Sequence, residues 1–151
     1  MNHEYQCLPE VKYYKFNFSF FFVTTLIISL PLIALSFSKG VEGDAYRVML
    51  FIYLLMLLPF IIYYYYQWNY FKNLSPNHIQ IVTLDQVESS WIRTMAFVIE
   101  MEINGHKKRI STQAVFRTGL FGPNDISEYS MKKARVGYDP NRGIAVILEL
   151  L

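Results

Sequence analysis

The side chains of this chain best suited to chemistry are basic. Lys107, Lys108 and Arg109 run consecutively after an Asn104-Gly105 pair, and Lys132, Lys133 and Arg135 form a second group. Ammonium and guanidinium groups at that density hold phosphates through charge-assisted hydrogen bonds, and a guanidinium can grip two oxygens at once. Between the groups, residues 117–128 (RTGLFGPNDISE) carry two glycines, a proline and an Asn-Asp pair, and are expected to form the longest loop of the second half. Binding residues gather on such loops when the scaffold beneath is rigid. Arg117, Phe121 and Asn124 in this loop, with Phe116 at its edge, are candidates to contact or stack a base while the basic groups meet phosphates. A plainer reading stays open, because Lys107 and Arg109 have acidic neighbours across a hairpin and lysines on strand edges discourage edge-to-edge association.

No catalytic constellation accompanies these groups. The three histidines, His3, His78 and His106, are far apart, and neither a helical His pair, a nucleophile elbow, a phosphate loop nor a dinucleotide fingerprint occurs. Glu100 and Glu102 are accounted for as partners of Arg109 and Lys107 rather than as an acid–base pair. The single cysteine, Cys7, excludes an intrachain disulfide and a cysteine-built zinc site, and an unpaired thiol favours a reducing compartment. No catalytic residue, metal or cofactor is expected.

Positioning the basic groups falls to the rest of the chain, whose first half is apolar. Hydrophobic residues make up 53% of the sequence and aromatic ones 17%, and the surplus lies ahead of Lys72. Residues 16–37 and 48–67 are two apolar runs without an internal charge, each long enough as a helix to cross a hydrocarbon core about 30 Å thick. Residues 38–47 (SKGVEGDAYR) read as a solvated turn between antiparallel spans, and residues 1–15 as a juxtamembrane lead-in. A cleaved signal peptide is the rival reading of the first run, with Ser36-Phe37-Ser38 as the cleavage-like site, but the run is long and a second follows at once. Pro31 and Pro59 interrupt the runs, and scattered hydroxyls such as Thr25 and Ser29 are expected to bond back to their own helix or across to the other. Tyr63 to Tyr66, Trp68 and Tyr70 form an aromatic belt at one interface. Lys12, Lys15 and Lys72 outside the spans, against Lys39 and Arg47 between them, tilt the positive-inside rule towards both termini in the cytoplasm. The net charge of +2 is too small to argue for duplex DNA as a partner.

After Ser75-Pro76-Asn77 the pattern changes from helical to alternating. Residues 79–87 read as one strand. Asn104-Gly105 marks a two-residue type I′ hairpin, which sets Ile103 opposite His106, Glu102 opposite Lys107, Met101 opposite Lys108, Glu100 opposite Arg109 and Ile99 opposite Ile110. One face then carries matched charges, and the other carries Met95, Phe97, Ile99, Met101 and Ile103, with Ile110, Thr112 and Ala114 across from them. Residues 132–138 and 144–150 read as two more strands around the turn Asp139-Pro140-Asn141-Arg142-Gly143. The expectation is an α+β membrane protein: a two-helix hairpin in residues 1–74, then a small β-domain in residues 75–151 with about five strands curled into an SH3-like or OB-like sheet.

The stretch Ala134-Arg135-Val136-Gly137-Tyr138-Asp139-Pro140-Asn141, followed by Ala145-Val146, resembles the C-terminal signature of a bacterial family of unknown function. In that family two spans precede a small β-domain ending in valine-x-tyrosine-aspartate-proline. The likeness covers the layout of the whole chain and implies a multi-pass protein of the bacterial inner membrane. The family's usual asparagine-proline after the turn is replaced here by Asn141-Arg142, and the family offers no catalytic residues to carry over. In size and plan the chain is also similar to membrane effectors of antiphage defence of the CRISPR or CBASS type. That likeness implies a cyclic oligonucleotide ligand for the cytosolic domain, a homo-oligomer such as a tetramer, and spans that perturb the membrane or open a pore. The alternative is an immunity or scaffold protein that holds a protein partner at the membrane, and a third is a transporter or channel accessory.

Overall fold

The structure is a computed structural model that describes residues 8–90, 94–119 and 123–151. Two helices lead, α1 (Pro9–Ser36) and α2 (Val41–Lys72), and both are long and apolar enough to cross a membrane. At 1.5 Å per residue they measure roughly 42 and 48 Å, so each outruns a hydrocarbon core. The surplus lies where the sequence suggested lead-in and turn. Helix α1 starts at Pro9, which is suited to a first helical position, with Glu10 in its first turn. Glu42 and Asp44 occupy the first turn of α2, and Arg47 Nη1 bonds Asp44 Oδ1 at 3.0 Å. Most of the expected 38–47 turn is therefore helix, and residues 37–40 alone make the connection.

Between the helices, rings do much of the packing. Phe21 stacks on Phe60 (5.7 Å) and on Tyr64 (5.4 Å), and Phe18 stacks on Trp68 (5.7 Å). The serine and threonine hydroxyls bond back within their own helix, and the bond across the pair comes from a tyrosine instead. Thr25 Oγ1 donates to Phe21 O and Ser36 Oγ to Ile33 O, both at 2.7 Å within the helix, while Tyr53 donates across to Thr24 O at 3.2 Å.

Six strands follow: β1 (Asn77–Thr83), β2 (Gln86–Ser89), β3 (Met95–Ile103), β4 (His106–Ser111), β5 (Lys133–Asp139) and β6 (Ile144–Leu150). They form two three-stranded antiparallel sheets, ordered β1-β5-β6 and β2-β3-β4, in place of the single five-stranded sheet or barrel expected. The extra strand arises because residues 79–87 split at Leu84-Asp85. Leu84 is buried between the sheets, donating its N–H to Lys132 O (2.9 Å) and accepting from Met131 N (2.8 Å), so the chain changes sheets there. Nothing in the local sequence announces the break, for neither glycine nor proline stands at it.

The β3–β4 hairpin keeps the expected register at all five pairs, from Ile103↔His106 to Ile99↔Ile110. Asn104 (φ 53°) and Gly105 (φ 78°) both take the left-handed conformation that a type I′ turn demands. Phe97, Ile99 and Met101 face the core, and the rings of Phe97 and Tyr129 both meet Phe116 edge-on at 5.0 Å. The side-chain amide of Gln80 on β1 ties the two sheets together, with Nε2 donating to Glu102 O (2.6 Å) and Oε1 accepting from Glu102 N (3.1 Å).

By compactness the chain forms two units: residues 8–13 with Tyr70–Leu151, and Tyr14–Asn69. The ends of both helices thus belong to the β unit. Leu8, Val11, Phe71 and Leu74 are buried there beside Val136, Ala145 and Ile147. This division differs from a boundary at residue 74, because Leu8 and Val11 at the start of α1 and Phe71 and Leu74 at the end of α2 are buried in the β unit.

Candidate anion-binding site

Lys107, Lys108 and Arg109 lie on β4, an edge strand, and are exposed. Glu102 and Glu100 stand opposite Lys107 and Arg109 in register, yet Arg109 Nη2 donates to Gln86 Oε1 on β2 (3.1 Å). Lys133 and Arg135 lie on β5, the middle strand of the other sheet, and Lys132 just precedes it. Lys132 and Lys133 are exposed, whereas Arg135 is half-buried and forms a 2.9 Å ion pair with Glu149 directly across on β6. The two basic groups therefore stand on separate sheets.

Two of the expected loop contacts prove to be structural. Phe116 is fully buried, and its backbone bonds Met95 in both directions (2.8 and 3.2 Å). Its ring fills the core between Phe97 and Tyr129 and has no face left for a base. Asn124 is also buried, donating from Nδ2 to Pro9 O (2.7 Å) and Val115 O (3.3 Å) while its backbone carbonyl accepts from Arg117 N (3.1 Å). It fastens the start of α1 to the loop. Arg117 is half-buried and is held by its backbone, with Ile126 N donating to its carbonyl at 2.9 Å. Phe121 lies outside the described residues.

A groove of about 330 Å³ opens instead between the first turn of α1 and the β6 side of the β5–β6 pair. Lys12, Arg135, Glu149 and Tyr129 line it, with Pro9 and Leu148. Two cations against one carboxylate leave an excess positive charge. Of these residues only Arg135 was legible as a candidate. Lys12 is 123 positions away in sequence and comes close because α1 begins inside the β unit, and the pairing of Arg135 with Glu149 depends on the bulge between Arg135 and Val136.

At the other end of the same strands the valine-x-tyrosine-aspartate-proline residues build a clasp. Val136 is core. A Cβ on Gly137 would stand 2.6 Å from Pro76 Cβ, so only glycine lets the strand approach the segment after α2. Asp139 is fully buried and accepts from Tyr70 Oη (2.7 Å) through one oxygen and from Asn141 N (3.0 Å) through the other. Arg142 lies with its guanidinium carbon 3.8 Å from the centroid of the Tyr70 ring, a cation–π contact on the last turn of α2. Arg142 thus joins the clasp. No protein-family model, curated protein or solved structure matches the chain.

One further charge lies inside the unit. Glu10 is fully buried and neither carboxylate oxygen has a hydrogen-bond partner. Among the described residues no three of His, Cys, Asp and Glu gather to hold a metal ion.

Proposed function

We propose that the protein is a membrane-anchored effector whose β unit recognises an anionic, phosphate-bearing ligand and biases the two apolar helices. The observation that carries this reading is the continuity of both helices with the β unit's core. Leu8 and Val11 at the start of α1, and Phe71 with the Tyr70–Asp139–Arg142 clasp at the end of α2, are part of the β unit. The helices cross the bacterial inner membrane, with both termini in the cytoplasm, and assemble with other copies of the chain. A cyclic oligonucleotide, as in antiphage defence, is the ligand class that this layout suits. Exposed cations on both sheets favour an anionic ligand.

The test uses the full chain in lipid nanodiscs and a panel of cyclic di-, tri-, tetra- and hexanucleotides. Binding is expected to weaken steeply as salt rises, because each phosphate contact releases counterions. A ligand moves a conformational equilibrium only by its differential affinity, so the same nucleotide must also change distances between spin labels on the two helices. Absence of binding at low salt overturns the reading. A second one, an immunity or scaffold protein, is favoured by Ile79 and Ile81, which are 52% and 64% exposed on the edge strand β1 beside exposed Lys133. Stoichiometric co-purification of a partner protein, lost in Ile81→Glu, would select it.

A further inference from the structure

We infer that the groove between the first turn of α1 and the β6 edge is the place where the phosphate is bound, with Lys12 and Arg135 as its cationic contacts. The inference rests on the reading that the β unit takes an anion, and it moves the site away from the hairpin tip. Three observations carry it. The groove has room for a phosphate with part of its substituent, at about 330 Å³. Arg135 is half-buried in its wall and already oriented by Glu149 at 2.9 Å, so its guanidinium is pre-positioned rather than freely rotating. Lys12, exposed on α1, adds the second cation and tips the local balance to positive. The Lys107-Lys108-Arg109 group has no such enclosure, since those residues are exposed along an open strand edge.

Depth along α1 decides which phosphates can reach the groove. Lys12 lies four residues ahead of Phe16, where the apolar run begins, or about 6 Å at 1.5 Å per residue. The headgroup zone on each side of a hydrocarbon core is roughly 5–7 Å deep. The groove therefore meets both lipid headgroups and soluble phosphates arriving from the aqueous side. The excess positive charge selects a phosphate not already neutralised by an attached amine.

The experiment follows the melting midpoint of the full chain in detergent micelles as it is titrated separately with four probes. These are short-chain phosphatidylglycerol, phosphatidylcholine with the same tails, inorganic phosphate and a cyclic dinucleotide. Phosphatidylglycerol or the soluble phosphates are expected to raise the midpoint and phosphatidylcholine to leave it unmoved. A response to phosphatidylglycerol alone assigns a lipid headgroup, and a response to the cyclic dinucleotide assigns a soluble ligand. Lys12→Gln and Arg135→Gln should each weaken the binding about tenfold, the loss of one charge-assisted contact, with Lys12→Arg restoring it. Lys12 is exposed, so its variants keep the test open even if Arg135→Gln fails to fold. Unchanged affinity in Lys12→Gln, with loss in Lys107→Gln/Lys108→Gln, overturns the groove and leaves an anion-binding β unit standing. No response of the parent chain to any probe overturns both.

Discussion

The β unit contains two hairpins of opposite character. At the tip of β3–β4, an added Cβ on Gly105 would meet nothing within 4 Å, and the strands pair through a ladder whose register follows from the turn. At the end of β5–β6, Asp139 is buried under Tyr70, Arg142 covers the Tyr70 ring, and Gly137 presses on Pro76. The first hairpin is specified by residues adjacent in sequence, the second by residues some 70 positions earlier. Charge follows the same division. Lys107, Lys108 and Arg109 are exposed along the free edge, whereas Arg135 and Arg142 on the fastened hairpin are oriented by an ion pair and an aromatic face.

Removing the helices should break the contrast outright. A fragment of residues 77–151 retains the whole β3–β4 hairpin but loses Leu8, Val11, Phe71 and Leu74 from the core, and Tyr70 and Pro76 from the clasp. Four buried apolar side chains at about 1.5–3 kcal/mol each rival the entire stability of a small domain, so the fragment is expected to show no cooperative thermal transition by circular dichroism. A sharp melt would mean that the second hairpin does not need its clasp.

Gly137→Val should be the most damaging single substitution, because the new side chain collides with the Pro76 ring rather than with a flexible tip. Overpacking of this kind costs about 2–3 kcal/mol, to be read as a lowered melting midpoint of the full chain in micelles. Asp139→Ala should follow at about 1–3 kcal/mol, since the Tyr70 hydroxyl and the Asn141 N–H lose their acceptor. Gly105→Val should cost about 1–2 kcal/mol through backbone strain at positive φ. Its effect should stay within the β3–β4 hairpin, so amide exchange is expected to accelerate on β4 and remain unchanged on β5. Equal acceleration on both strands would show that the hairpins are not independent. Lys108→Gln should change stability by less than about 0.5 kcal/mol, as expected for an exposed surface site.

Local chemistry was enough to read several parts of this protein from its sequence. Two uncharged apolar runs announce the long helices, and Asn104-Gly105 between alternating segments announces a hairpin with its register, because positive φ at two adjacent positions has few other solutions. Tertiary structure decided the rest. Leu84 reads as one more alternating strand residue, and only its burial between two sheets shows that the strand ends there. Phe116 and Asn124 read as loop residues available to a ligand, but the core and the start of α1 claim both side chains. Lys12 and Arg135 line one groove because the first turn of α1 folds into the β unit. Periodicity and turn chemistry report on neighbours within a few residues, while a groove lined by residues 123 positions apart exists only once apolar burial has chosen which surfaces close.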